Sequence, residues 1–152
     1  MNNVGTYRRN FEIPKNWDGK QVYLHFEGVS GATYVYVNGQ MAGYNEGSKT
    51  PAEFNITPFL KKGQNLLAVQ IMRWSDASYM EDQDFWRLSG IERDVYLRAE
   101  NPLYVKDIRL NGDYDIRNKL GEFSVEVFFG NESKRTEKGE VEIKLLDGEN
   151  EL

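Results

Sequence analysis

Thr33-Tyr34-Val35-Tyr36-Val37-Asn38-Gly39 decides the fold class. Aromatic and β-branched side chains alternate from Thr33 to Val37, a period of two that puts successive residues on opposite faces of a strand. Asn38-Gly39 then supplies the two residue types that accept φ > 0, as a type I′ hairpin turn requires. The stretch therefore reads as a strand, a tight turn and a return strand. Upstream, Val22, Leu24 and Phe26 alternate with Tyr23 and His25; downstream, Leu67, Val69 and Ile71 form a second stripe, and Val95 and Leu97 a third. These runs end in turn residues such as Lys62-Gly63 and Ser89-Gly90. No segment of helical length carries a 3.6-residue period. Thr57-Pro58-Phe59-Leu60 allows about one helical turn, with Thr as cap and Pro in the first helical position. Many short strands without intervening helices predict an all-β antiparallel sandwich or barrel.

The bulk properties exclude several functions. At 152 residues, of which 39% are hydrophobic and 13% aromatic, the chain has enough apolar surface to offset chain entropy. Its net charge of −5 argues against nucleic acid as a partner, since that affinity rests on Lys and Arg displacing counterions. With no cysteine there is no disulfide, thiolate nucleophile or cysteine zinc site. No apolar run approaches the roughly 20 residues that span a bilayer, and Met1 to Thr6 is polar. A soluble piece with no membrane partner and no signal peptide is expected, its compartment left open.

The alternation restarts at Asn101-Pro102, where Pro cannot donate to a sheet ladder. Two domains follow from this break, residues 1–100 and residues 101–152. Three strands are expected in the second, at Tyr104–Leu110, Glu122–Phe129 and Glu140–Leu146, which is only part of a sandwich. Such a segment is expected to pack on the first domain or to self-associate through its open strand edges.

The segment from Arg73 to Val95 breaks the alternation. It is a long connection holding Trp74 and Trp86, two of the three Trp residues, and four acidic groups, Asp76, Glu81, Asp82 and Asp84. Long ordered loops in compact domains are often functional. One reading is a packed loop with both Trp residues in the core and the carboxylates solvated or paired with Arg73, Arg87 and Arg93. The other is a polyol site, in which carboxylates accept hydrogen bonds from sugar hydroxyls and an indole covers the C–H face. Asp82 and Asp84 would also suit a hard cation.

The run Trp74-Ser75-Asp76-x-Ser78-Tyr79-x-Glu81-Asp82-Gln83-Asp84-x-Trp86-Arg87-x-Ser89-Gly90-Ile91-x-Arg93-Asp94-Val95 resembles the signature of the N-terminal sugar-binding domain of family 2 glycoside hydrolases, in its β-galactosidase form. Gly5-Thr6-Tyr7, Phe26-Glu27-Gly28-Val29, Val37-Asn38-Gly39, Gly43-Tyr44, Pro51-Ala52-Glu53-Phe54 and Gly63-Gln64-Asn65 fall where that family has similar groups. The resemblance covers residues 5 to about 98. It implies a jelly-roll, galactose-binding-like β-sandwich, followed from residue 101 by the opening strands of an immunoglobulin-like β-sandwich.

It also implies that the last Asp of the Glu-Asp-Gln-Asp core, Asp84, reaches a galactose subsite in a neighbouring (β/α)8 barrel and helps hold a sodium ion there. Trp74, Asp82, Trp86 and Arg87 are expected to support the loop. No catalytic residue is expected in this chain: retaining glycosidases use two carboxyl groups roughly 5–5.5 Å apart, which the resemblance places on Glu residues of the barrel, beyond Leu152. A magnesium ion of the parent enzyme would likewise find its ligands elsewhere. The resemblance further implies that the domain begins before Met1, with strands and a substrate-binding Asn that this chain lacks. The expected function is that of a non-catalytic part of an enzyme hydrolysing terminal β-D-galactosides. The alternatives are a stand-alone carbohydrate-binding module, marked by an exposed aromatic platform, and a purely structural interaction domain.

Other residues carry blander readings. His25, the single histidine, excludes imidazole clusters and reads as an outward-facing or hydrogen-bonded strand residue. Tyr34, Tyr36 and Tyr44 read as strand packing rather than a stacking platform, and Trp17 as the anchor of a turn. Gly28 to Gly31 leads into strands rather than a helix, which argues against a phosphate cradle.

Overall fold

The computed structural model describes residues 1–81, 84, 86–133, 135–148 and 150–151. It divides into two compact units, Met1–Asn101 and Pro102–Leu152.

Among the described residues, the first unit holds nine strands: β1 (Val4–Glu12), β2 (Gln21–Phe26), β3 (Val29–Ser30), β4 (Ala32–Val37), β5 (Gln40–Asn45), β6 (Ala52–Asn55), β7 (Gln64–Met72), β8 (Gly90–Ile91) and β9 (Val95–Glu100). One sheet has the order β1-β7-β4-β5, a second β6-β2-β9, and β3 pairs with β8 in a short ribbon; the pairings are antiparallel. Val22, Leu24, Phe26 and Phe54 from the three-stranded sheet meet Val35, Val37, Val69 and Ile71 from the four-stranded one in a single buried cluster. The period of two read from the sequence is what brings these residues to one face of each sheet. The result is the expected all-β sandwich.

The turns follow the expected chemistry. Asn38 and Gly39 have φ of 52° and 83°, as a type I′ hairpin demands. The Asn38 side chain also donates to the Asn65 Oδ1 at 2.8 Å and to the Phe59 carbonyl at 2.9 Å. Asn65, only 1% exposed, uses its own amide to donate to the carbonyls of Lys61 and Gly63. The half-buried Asn38 amide and the buried Asn65 amide thereby tie the β4–β5 turn to the β6–β7 connection, each with hydrogen-bond partners. Thr57–Phe59 and Lys15–Trp17 are single 3-10 turns, and Trp17 packs partly buried against the core.

Gly43 on β5 explains one constraint of packing. A Cβ there would lie 2.1 Å from the Phe54 ring, so β5 can cross the edge of the core only without a side chain. On the outer face of β6-β2-β9, Glu53 accepts two bonds from Arg98, at 2.6 and 2.7 Å, and meets the His25 ring at 3.1 Å. Arg98 also pairs with Glu100 and lies over the Tyr23 ring, and His25 stacks on Tyr96. The Arg98 bonds, ahead of the His25 contact, hold the Glu53 carboxyl below its usual range despite partial burial.

The second unit is built on a long hairpin, β10 (Leu103–Asp115) and β11 (Leu120–Asn131), with a register shift between Val105 and Asp107. Asp115 closes its turn by accepting from the Arg117 and Asn118 backbone N–H groups. The expected strand at Glu140–Leu146 does not form: residues 136–145 have no regular structure, and only Leu146–Asp147 (β12) pairs, with Asn150–Glu151 (β13). Val141, Ile143 and Leu145 alternate as a strand would, yet all are exposed. A period of two marks a strand only when a buried face exists to receive it.

Two outcomes test this packing. Gly43→Ala should lower unfolding stability by about 1–3 kcal/mol in denaturant titration, the usual range for overpacking. Because the Glu53 pKa is depressed by folding, its contribution is present above the unfolded carboxylate value and is lost as pH falls through the folded one. Thermal melts from about pH 6 down to about pH 3 should therefore fall less steeply for Glu53→Gln than for the parent chain.

Candidate functional site

The long connection leaves the sandwich where β7 ends. Arg73 N–H donates to the Asn3 carbonyl at 3.0 Å, which carries the β1–β7 ladder one residue further. Asn2 then acts as one more rung: its side chain accepts from the Trp74 N–H at 2.9 Å and donates to the Trp74 carbonyl at 2.7 Å. The Arg73 guanidinium lies 5.0 Å from the Trp74 ring centre and donates through Nη2 to the Arg87 carbonyl at 3.0 Å. That bond closes the neck of the loop across fourteen residues.

Within the loop, Ala77–Met80 forms one helical turn (α1). It is started by the Ser75 N–H bonding the Ser78 hydroxyl at 3.0 Å, and the Glu81 N–H bonds back to the Ala77 carbonyl at 2.8 Å. The Glu81 carboxylate accepts from the Ser48 N–H at 3.3 Å, linking the loop to the β5–β6 connection. The far end is held by β8 pairing with β3, Val29 opposite Ile91 and Ser30 opposite Gly90. Gly31, with φ of 100°, makes the turn from β3 into β4; a Cβ there would sit 2.4 Å from the Met72 carbonyl oxygen.

These elements enclose a cleft of about 230 Å3, lined among others by Ser30, Ser48, Lys49, Arg73, Trp74, Glu81, Trp86 and Arg87. Ser30 is 3% exposed, and its hydroxyl has no hydrogen-bond partner among the described residues; the same holds for the buried Nε of Arg73. An unpaired buried polar atom costs on the order of 1–3 kcal/mol. Two of them on one cleft wall mark a place where an outside hydroxyl or carbonyl oxygen would be bound favourably. The cleft is smaller than the roughly 300–1,000 Å3 of sites that enclose a drug-sized ligand. It is the size of a partial subsite.

The residues expected from the sequence divide. Trp74, Trp86 and Arg87 line the cleft together. Neither Trp belongs to the core, however: Trp74 is 39% and Trp86 78% exposed, so Trp86 does not stiffen the loop by burial. Asp84 is exposed and is not among the lining residues, although Glu81 and Trp86 on either side of it in sequence are. Asp82 lies outside the described residues. Among the described residues, the charged lining of the cleft is Lys49, Arg73 and Arg87 with Glu81. Among the described residues, no group of three or more His, Cys, Asp or Glu side chains could hold a metal ion. No helix of the described residues is long and apolar enough to cross a membrane.

Ser30, Lys49 and Asn2 were not legible as site residues. Ser30 looked like part of a turn, and Asn2 meets Trp74 only because β1 and β7 pair across some 60 residues of sequence. The orphaned hydroxyl of Ser30 is visible only once the neighbours that fail to reach it are in place.

Residues 1–101 match the family model for the glycosyl hydrolases family 2, sugar binding domain. A β-galactosidase of Priestia megaterium is 48% identical over 124 residues, covering 82% of this chain and 12% of that protein. A β-galactosidase of Halalkalibacterium halodurans is 41% identical over 150 residues, covering 97% of this chain and 14% of that protein. Among solved structures, a β-glucuronidase of an uncultured Clostridium species superposes with a TM-score of 0.72 at 28% identity, over 86% of this chain and 25% of that one. This chain thus spans about one eighth of the length of the curated relatives it matches. With its antiparallel sandwich and the long β7–β8 connection in place, the chain belongs to the family 2 glycosyl hydrolase sugar-binding domains.

Proposed function

We propose that this chain is the non-catalytic sugar-binding part of a β-galactosidase, an enzyme hydrolysing terminal β-D-galactosides, and that the cleft beside the Trp74–Trp86 segment is its share of the galactose subsite. The observation that carries the reading is the pair of buried polar atoms without a partner among the described residues, Ser30 Oγ and Arg73 Nε, on the lining of that cleft. A sugar hydroxyl both donates and accepts, so it can satisfy a serine hydroxyl and a guanidinium N–H in turn. The Trp74 and Trp86 rings, partly or largely exposed at the mouth, offer apolar faces to the C–H side of the ring.

The cleft is open and small, and a catalytic (β/α)8 barrel of the same polypeptide would complete it. That barrel would carry the two glutamates, acting as nucleophile and as acid/base. Asp84, exposed on the loop, would be presented to the barrel side, where its carboxylate would accept from the galactosyl hydroxyl and supply one oxygen to a sodium ion. Asp84 alone cannot make a cation shell, so the remaining oxygens would come from outside the described residues, as would the ligands of any magnesium ion. Residues 102–152, with the β10–β11 hairpin, would open an immunoglobulin-like domain between this sandwich and the barrel.

The exposure of Tyr79 and Trp86 favours one other reading, a stand-alone carbohydrate-binding module whose aromatic platform acts without a barrel. The two are separated by amide NMR of this chain, titrated with galactose in sodium and in potassium buffer. A partial subsite predicts binding weaker than about 1 mM, with shifts confined to Ser30, Lys49 and residues 73–88, reduced by Ser30→Ala and by Asp84→Ala. A complete module predicts tight binding to an oligosaccharide that Tyr79→Ala or Trp86→Ala abolishes and Asp84→Ala leaves alone. No shift anywhere on adding galactose would overturn the partial subsite, and none on adding an oligosaccharide either would overturn both and leave a structural domain.

A further inference from the structure

Lys49 holds a backbone conformation that its side chain does not favour. Its φ is 63°, in the left-handed region where a Cβ crowds the following carbonyl and glycine or asparagine is the usual occupant. Among the described residues, two other non-glycine residues share that region, Asn38 and Lys119, and both sit in hairpin turns. Lys49 lies instead on the longer β5–β6 connection, residues 46–51, and lines the cleft with Ser30 and Arg73.

The surroundings hold this conformation in place. The Asn45 side chain donates to the Gly47 carbonyl at 3.1 Å, the Ser48 N–H to the Glu81 carboxylate at 3.3 Å, and the Lys49 N–H to the Val29 carbonyl at 3.4 Å. Thr50, ahead of Pro51, is pushed toward an extended backbone. Two consecutive N–H groups are thus pinned to acceptors on different elements, the condition under which a strained residue persists. The Val29 bond also ties Lys49 to the residue next to Ser30, whose buried hydroxyl has no partner among the described residues. A glycine at position 49 would be easier to hold there, but it would bring no side chain to the cleft.

We propose that Lys49 is a ligand-binding residue of the cleft, its strained backbone serving to bring the ammonium to the lining that Ser30 shares, where it donates to a sugar hydroxyl oxygen. This rests on the reading of the cleft as part of a galactose subsite. A sugar hydroxyl that accepts from Lys49 still has its own hydrogen to give to Ser30 Oγ, so one ligand oxygen serves both. The ammonium carries three donors, enough for a partner within the chain and a ligand together.

Lys49→Gly tests this, because it removes the ammonium and relieves the backbone in one change. The expected variant melts at or above the temperature of the parent chain, since glycine adopts the left-handed region freely. It nevertheless binds galactose roughly fivefold or more weakly in amide NMR titration, as loss of a charged donor requires. Lys49→Arg, which keeps a cationic donor on the same backbone, should recover most of the affinity. Galactose binding unchanged in Lys49→Gly overturns the proposal and leaves the subsite reading standing. So does a glycine variant that melts well below the parent, which would make Lys49 a structural residue. A parent chain that binds no galactose overturns both readings together.

Discussion

The double pairing of β7, with β1 on one side and β4 on the other, is the constraint on which the rest of the first unit depends. Val69 and Ile71 stand opposite Tyr7 and Gly5 in one ladder and opposite Val35 and Thr33 in the other. A slip of one residue in either ladder would turn the whole inward stripe to solvent, so burial of Val69 and Ile71 sets the register on both sides at once. That register also decides where the strand stops. Arg73 is the last residue whose backbone is held by β1, and everything the loop presents is measured from that point.

The loop is therefore launched from the most constrained strand of the sheet rather than from an edge. Asn2 replaces the next backbone rung, the Arg73 guanidinium crosses to the Arg87 carbonyl, and β8 returns to pair with β3. Three attachments on three different elements hold a segment that has little core of its own, its exposed Tyr79, Met80, Trp86 and Leu88 included. The unpaired Ser30 hydroxyl sits where these attachments converge. Rigid support around an unsatisfied polar wall is what a binding subsite needs, because the cost of ordering it has been met before the ligand arrives.

Buried and half-buried polar groups elsewhere are handled differently. Asn38 and Asn65 satisfy each other and five backbone groups near the β4–β5 turn, and Glu53 is shared by Arg98 and His25 on the sheet's outer face. Both networks are closed within the chain. Among the described residues, the Ser75 hydroxyl, at the start of the loop, is the one other buried side-chain polar atom left without a partner.

The strand pattern, the Asn38-Gly39 turn and the family resemblance were readable in the linear sequence, because they rest on period-two alternation, on the φ > 0 tolerance of two residue types, and on a motif confined to one stretch from Trp74 to Val95. Alternation misled at Glu140–Leu146, where Val141, Ile143 and Leu145 are exposed and no opposing face among the described residues buries one side of a strand. Of the two readings the loop allowed, the packed one with both Trp residues in the core is not the one found, since Trp74 is 39% and Trp86 78% exposed. Tertiary structure alone decided that Ser30, Lys49 and Arg73 share a wall with Trp74, and that Asn2 holds the loop's neck. Those contacts join residues up to 72 positions apart, and only the pairing of strands across the sheets converts such separations into hydrogen-bond distances.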